Sequence, residues 1–133
     1  MKVLLSHCDF IEYKPVRKEW KNAENAEIKT YKFEEILVAF TCIEEDDNEE
    51  KVEKMVEEIR VACNRIKVNR ILIYPFAHLS NKLARPEIAL KLISFLYEKL
   101  KNYFECYLAP FGYSKELHVK IKGHPLAEQL RVV

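Results

Sequence analysis

The order of three neighbouring segments limits this chain to an α/β fold. Between residues 52 and 66 apolar side chains recur every three or four positions, which predicts an amphipathic helix with one buried stripe. Apolar segments lie on both sides of this helix, at Glu35–Ile43 and Ile71–Tyr74, and both predict buried strands. A strand, a helix and a second strand in this order predict a right-handed crossover and a sheet that is at least partly parallel.

The same pattern repeats further along the chain. Pro86 opens a second helical stripe that continues to Leu100, and Phe104–Leu108 predicts the next strand. Apolar and polar residues then alternate over 117–121, which is typical of a half-buried strand. We therefore expect a single α/β domain over residues 1–133, with a mixed sheet and two crossover helices.

Three other segments give less regular patterns. The opening Lys2–Cys8 predicts a short buried strand, whereas Glu12–Lys32 has aromatic residues without a clear period and predicts an irregular or hairpin excursion. Pro125 would fit the first turn of a short C-terminal helix that includes Glu128.

The charges are unevenly distributed along the sequence. The net charge is +1, but the stretch from Glu44 to Glu58 contains nine acids and two lysines, so the rest of the chain carries +8. Such asymmetry permits contact with a polyanion on the non-acidic side, although a charge run often only solvates a surface. No apolar run is long enough to span a bilayer, so we expect a cytoplasmic protein with no membrane partner.

Sequence motifs for metals and common cofactors are missing. The four cysteines are far apart and form no CxxC pair, so they are interpreted as reduced core residues. The histidines show no ligand spacing, and there is no glycine-rich nucleotide loop or serine-hydrolase elbow. We therefore expect no metal and no cofactor. The histidines are His7, His78, His118 and His124.

Two polar segments are predicted to follow strands that leave the crossovers. One contains His78, and the other contains Gly112 and Lys115, close to one of only two glycines in the chain. Ligands in open α/β sheets bind at the carboxyl ends of strands, so the two segments should face one crevice. The pattern indicates a crevice with His78, Lys115 and Glu128, but each of these residues could equally be an ordinary surface or loop residue.

Three blocks in this region resemble a known family. Tyr74–Ser80, Ala109–Tyr113 and Lys122–Glu128 are similar to the N-terminal editing domain of archaeal threonyl-tRNA synthetase, and Lys2–His7 and Leu37–Phe40 match as well. That domain has a D-aminoacyl-tRNA deacylase-like fold. The resemblance spans nearly the whole chain.

The resemblance implies hydrolysis of serine that is wrongly esterified to tRNA(Thr), assisted by the 2′-hydroxyl of the terminal adenosine. It implies that His78, Lys115 and Glu128 are the catalytic side chains. It also implies a homodimer, contact with the tRNA acceptor end, and a synthetase catalytic domain that acts in cis or in trans. The substrate-binding residues would be Ile43, Pro75, Phe76, Ala77, Phe111, Gly112, Tyr113, Ser114 and His124.

One position departs from the family pattern. Ser114 stands where an aromatic residue usually precedes the lysine. Two alternatives therefore remain open beside serine editing. The chain could be a D-aminoacyl-tRNA deacylase, or it could be a catalytically silent module for tRNA binding or dimerisation, which the serine would favour.

Overall fold

A six-stranded mixed sheet carries both helices on one face. The computed structural model describes all 133 residues. The two crossovers are β2–α1–β3 and β3–α2–β4, and the strands in each are parallel, so the predicted mixed sheet with two crossover helices is confirmed. The elements are β1 (Lys2–Lys18), β2 (Tyr31–Cys42), α1 (Glu49–Ile66), β3 (Arg70–Pro75), α2 (Pro86–Leu100), β4 (Glu105–Leu108), β5 (Tyr113–Ile121) and β6 (Glu128–Val132).

Strand β1 organises the antiparallel half of the sheet. The strand order is β4-β3-β2-β1-β5, and β6 also pairs with β1. On the side away from β2, β1 pairs first with β6 over Lys2–Ser6 and then with β5 over Cys8–Lys18. A single 17-residue strand therefore connects the C-terminal strand to the strand that carries Lys115.

The helix-covered face holds the larger core. Leu5, Ile59, Ile73 and Leu96 are fully buried there, so strands and both helices contribute to one apolar cluster. Helix α1 begins where the Asn48 side chain accepts a hydrogen bond from the Lys51 amide at 2.9 Å, and it ends at Lys67 in a left-handed conformation.

No helix covers the opposite face of the sheet. The sheet curls there, so that strand residues pack against one another. Tyr13 stacks on Tyr31 with ring centroids 5.2 Å apart, and Phe40 meets Tyr74 edge to face at 5.3 Å. The β1–β5 register shifts between Cys8 and Phe10, and such bulges bend a strand and increase its twist. The curled second half of β1 and β5 thus helps to bury a second cluster of strand residues.

Two predicted segments differ in the structure. Strand β1 does not end at Cys8 but continues to Lys18, so only residues 19–30 of the predicted excursion lie outside strands. Pro15 obscured this in the sequence. It is tolerated because β1 pairs with β2 only as far as Tyr13, and beyond that point β1 pairs only with β5.

The predicted C-terminal helix is wrong. Residues 124–127 form a tight turn in which the Ala127 amide donates to the His124 carbonyl at 3.0 Å, and Glu128 opens β6. The chain after Glu128 pairs with β1 instead, because the sheet leaves the first five residues of β1 without a partner on that side.

Candidate functional site

A cavity of about 450 Å³ lies where β2 and β3 end, and His78 and Lys115 both line it. Its other walls come from the start of α2 and from the turn that leads into β5. The expectation that the two polar segments face one crevice is therefore met. The volume is within the range of small-molecule sites and is large enough for a nucleoside as well as an amino acid.

Lys115 is half-buried against the cavity wall and lies near the start of β5, in the strand itself. Its ammonium donates to the carbonyls of Pro110 at 2.9 Å and Tyr113 at 3.1 Å, and it lies 5.0 Å from the ring centroid of Tyr74. Burial lowers the pKa of Lys115 from 10.5 to about 8. Two of the three ammonium protons are thus engaged, which leaves one for a ligand.

His78 reaches the cavity from the loop after β3. Residues Ala77–Leu79 form a single 3₁₀ turn, and His78 is exposed at its centre. The imidazole packs edge to face on Phe76 with ring centroids 4.9 Å apart, and the Phe76 amide donates to the Thr41 carbonyl at 2.8 Å. The loop is therefore tied to β2, and the aromatic ring orients the imidazole at the cavity mouth.

Gly112 forms the turn that brings Phe111 and Lys115 together. It has a φ of +82°, and a Cβ atom at this position would lie 2.9 Å from the Cβ of Ala23. The Gly112 carbonyl also accepts from the amides of Glu19 and Trp20, at 2.8 and 3.2 Å. Glycine is required here both by the left-handed backbone and by the close approach of residues 19–23.

Ser114 is part of a polar wall. Its hydroxyl donates to the Glu19 carboxylate at 3.1 Å, and Glu19 also pairs with Arg17 at 3.2 Å. Both Ser114 and Glu19 line the cavity. Position 114 therefore presents to the cavity a hydroxyl that is held by a carboxylate.

The hydroxyl and thiol groups of the cavity are held in unreactive states. The Thr41 hydroxyl donates to the Ala39 carbonyl at 2.8 Å. Burial raises the pKa of the Cys42 thiol, and burial raises the pKa of Tyr74 to about 12. A thiol or phenol in this state stays protonated near neutral pH and is a poor nucleophile. Thr41, Cys42 and Tyr74 are therefore poor candidates for a nucleophile in this cavity.

Most of the predicted site residues line the cavity, but two do not. Glu128 is exposed at the start of β6, where it pairs with Ser6. His124 lies in the preceding turn, with its Nε2 2.8 Å from Nδ1 of His7. The residues that do line it are Ile43, Pro75, Phe76, Ala77, His78, Phe111, Gly112, Tyr113, Ser114 and Lys115.

The pair of His124 and His7 has a defined tautomer. The Leu126 amide donates to Nδ1 of His124 at 3.2 Å, so the proton of neutral His124 is on Nε2 and points to His7. Burial, together with His124 and Lys122, lowers the pKa of His7. In this chain His124 therefore stabilises the junction between β1 and the last turn.

Sequence reasoning missed Glu19, Tyr74 and the loop residues Leu83 and Ala84, which all line the cavity. In the sequence Tyr74 looks like an ordinary buried strand residue. Glu19 lies in the segment 12–32, which shows no regular pattern. The contact of Ala84 with Ile43 is a single backbone hydrogen bond of 3.1 Å. No property of the sequence indicates such a contact.

The loop that carries His78 is anchored by Glu44. The Ser80 hydroxyl donates to the Glu44 carboxylate at 2.7 Å, and the Met1 ammonium donates to the same carboxylate at 2.9 Å and to Asp47 at 2.6 Å. The hydrogen bonds from Ser80 and from the ammonium lower the pKa of Glu44 to about 2. A small buried charge network thus fixes one end of the cavity.

The family model described as the archaea-specific editing domain of threonyl-tRNA synthetase matches residues 1–133. The chain belongs to this family. The resemblance predicted from the three sequence blocks is thereby confirmed, and the cavity between His78 and Lys115 is the candidate site of an editing domain.

Curated relatives of this editing domain are full-length enzymes. Threonine–tRNA ligases from Thermococcus kodakarensis, Nitrosopumilus maritimus and Pyrococcus horikoshii are 43%, 40% and 42% identical to it, and each match covers 100% of this chain. The chain spans only 21–22% of the length of these relatives.

A solved structure supports the fold. The c-Myc DNA Unwinding Element Binding Protein superposes with a TM-score of 0.76 over 100% of this chain and 99% of that protein, at 13% sequence identity. At this identity the likeness concerns the fold alone. The D-aminoacyl-tRNA deacylase-like fold expected of the editing domain is confirmed. Neither helix has the length and apolar character needed to cross a membrane.

Proposed function

We propose that this editing domain hydrolyses the ester of L-serine that is wrongly attached to tRNA(Thr). The observation that carries the proposal is the meeting of His78 and Lys115 in one cavity, within a chain that belongs to the threonyl-tRNA synthetase editing family. An ammonium close to an ester carbonyl stabilises the negative charge that develops in the transition state.

The remaining groups have complementary roles in this proposal. His78 lies at the mouth, where it can hydrogen bond to the attacking water or to the terminal 2′-hydroxyl. The side chains of Phe76 and Phe111 form apolar walls that contact the amino acid. Because serine and threonine differ by one methyl group, the wall must exclude that group locally, and such contacts discriminate by about 1–3 kcal/mol.

The direct test compares three esters. We expect L-seryl-tRNA(Thr) to be hydrolysed ~10- to 200-fold faster than L-threonyl-tRNA(Thr), which is the discrimination that one methyl group can give. A D-aminoacyl-tRNA should react slowly. Preference for the D-ester would support the deacylase alternative, and no hydrolysis of any ester would support the silent module.

A second measurement tests the role of the substrate hydroxyl. Replacing the terminal adenosine of the tRNA with 2′-deoxyadenosine, with serine on the 3′-oxygen, should abolish the enzyme-dependent hydrolysis. The only histidine and charged side chains that line the cavity are His78, Lys115 and Glu19, and the Glu19 carboxylate is already paired. An unchanged rate would assign activation of the water to a protein side chain.

A homodimer is also part of the proposal. The register of β6 places Glu128, Leu130 and Val132 on the helix-free face of the sheet, and Leu130 and Val132 are 54% and 58% exposed. Ser6 on the same face has a buried hydroxyl without a hydrogen-bond partner. A second copy that covers this face would bring Glu128 to the interface, where it could reach the cavity of the other copy, since it does not line the cavity of its own chain.

Sedimentation of the wild type and of a Leu130→Glu variant tests the homodimer. Conversion of a dimer into a folded monomer is the expected result, and a monomeric wild type would contradict it.

The remaining partner is the synthetase catalytic domain. The relatives are almost five times as long as this chain, which supports a catalytic domain in cis, and an added catalytic domain would test action in trans.

A further inference from the structure

One segment next to the cavity is strongly basic. Residues 14–21 contain four cations and a single acid, Glu19. The segment is joined to the cavity wall through Gly112, whose carbonyl accepts from the amides of Glu19 and Trp20. Lys18 and Lys21 are exposed and form no ion pair. The cations of this segment are Lys14, Arg17, Lys18 and Lys21.

The basic segment forms one part of the rim of the cavity, and a second part of this rim is mostly acidic. Residues 44–50 contain six carboxylates, and the loop is joined to the other side of the cavity because the Glu45 amide donates to the Lys82 carbonyl at 2.9 Å. Two of these carboxylates, those of Glu44 and Asp47, are matched by the N-terminal ammonium. Lys82 and Arg85 lie in the same part of the rim, but together with the ammonium they are fewer than the six carboxylates, so its net charge is negative.

The only tryptophan of the chain lies within the basic segment. Trp20 packs edge to face on Phe111 with ring centroids 5.7 Å apart, and Phe111 lines the cavity. The indole is only half-buried, so part of its surface remains open to solvent. Cations interleaved with an exposed aromatic ring are the combination that proteins use to bind single-stranded nucleic acid.

We propose that the segment 14–21 binds the single-stranded 3′ end of the tRNA as it enters the cavity. The cations contact the backbone phosphates, and Trp20 stacks on a base that precedes the terminal adenosine, whose acyl group lies between His78 and Lys115. The acidic part of the rim repels the phosphates, so the strand enters from one side only. This inference rests on the proposed function, because it takes an aminoacyl-tRNA as the substrate.

The first test uses the fluorescence of Trp20, which is the only tryptophan and therefore reports on this segment alone. A short RNA that ends in CCA should quench this fluorescence on titration. A Lys18→Glu/Lys21→Glu variant should bind at least ~10-fold more weakly, and the slope of log affinity against log salt should fall by about 1.4, since each contact to a single strand contributes about 0.7.

The matched control reverses two charges in the acidic part of the rim. A Lys82→Glu/Arg85→Glu variant should bind the RNA within about twofold of the wild type, because in the proposal the strand does not cross that side. A larger loss for this variant than for the Lys18 and Lys21 variant would overturn the proposal. RNA binding without any change in tryptophan fluorescence would also overturn it.

Hydrolysis of a small ester separates this proposal from the proposed function. Seryl-adenosine has no preceding nucleotides, so the Lys18→Glu/Lys21→Glu variant should hydrolyse it at the wild-type rate while losing at least ~10-fold in kcat/KM on seryl-tRNA. Equal losses on both substrates would refute the docking role. Fluorescence quenching by RNA together with no hydrolysis of either ester would refute the catalytic function and leave the docking site in place.

Discussion

Replacing Lys115 with methionine should separate activity from stability. The half-buried ammonium of Lys115 has a pKa of about 8 against 10.5 in the unfolded chain. At 1.36 kcal/mol per pKa unit, keeping the charged form in the folded protein costs up to about 3 kcal/mol near neutral pH. Methionine removes this cost, but it leaves the carbonyls of Pro110 and Tyr113 without a donor, which costs roughly 1–3 kcal/mol for each one that water cannot reach. The two effects nearly cancel at pH 7.

The pH dependence of stability is therefore the sharper measurement. Between about pH 8 and pH 10.5 the unfolded chain holds a proton on Lys115 that the folded chain has released. The free energy of unfolding then rises with pH across this window, by up to about 3 kcal/mol from this group alone. Urea titrations at several pH values should show this rise in the wild type and its loss in Lys115→Met.

The rate of ester hydrolysis should depend on the Lys115 ammonium in the opposite way, because the charge that lowers the stability is the charge that supports the reaction. Loss of the ammonium should reduce the hydrolysis of seryl-tRNA by at least ~10-fold with little change in tRNA affinity, because it removes charge stabilisation and not docking. In the wild type, enzyme-dependent hydrolysis should fall above about pH 8, where the ammonium is lost. A matched Lys82→Met variant, which changes an exposed lysine, should alter neither profile. An unchanged rate in Lys115→Met would remove this residue from the mechanism.

Two further substitutions test the walls of the cavity. Gly112→Ala should destabilise the fold by about 1–3 kcal/mol in urea unfolding, because of its φ of +82° and its 2.9 Å approach to Ala23. Gly123→Ala is the control, since an added Cβ there meets nothing within 4 Å, and an equal loss would contradict the assignment. Glu44→Gln should weaken the contact to Ser80 and remove the stability that the wild type loses as pH falls from 4.5 towards about 2, because the folded-state pKa of Glu44 is the lower one. An unchanged acid limb in urea titrations would show that this carboxylate does not anchor the loop.

Much of the crossover half of the fold could be predicted from the sequence. Helix α1 has a regular apolar stripe, and Asn48 caps its first turn, so periodicity and capping indicate the same boundaries to within a few residues. The antiparallel half was harder to predict. The alternation in β1 changes phase at the bulge near Asp9, and Pro15 interrupts what remains of the pattern. A strand with a bulge does not have a single period of two along its length.

The candidate site, like the fold, could be predicted from the sequence only in part. His78 and Lys115 follow recognisable turns, so the rule for strand ends brought them to one crevice. Glu19 reaches the cavity only because the curled end of β1 leads into a turn that is hydrogen bonded to Gly112. Its position depends on the tertiary contact between two segments more than 90 residues apart, and local sequence carries no signal for it.

The structure also bears on whether Ser114 disables the site. The ammonium of Lys115 is held by main-chain carbonyls at Pro110 and Tyr113, and neither contact involves the side chain at position 114. The serine instead bonds to Glu19, on a separate part of the wall. A change of side chain at 114 can therefore alter the shape and polarity of that wall without releasing the lysine. Under the proposed function, Ser114 is therefore expected to alter contact with the substrate while Lys115 stays in place.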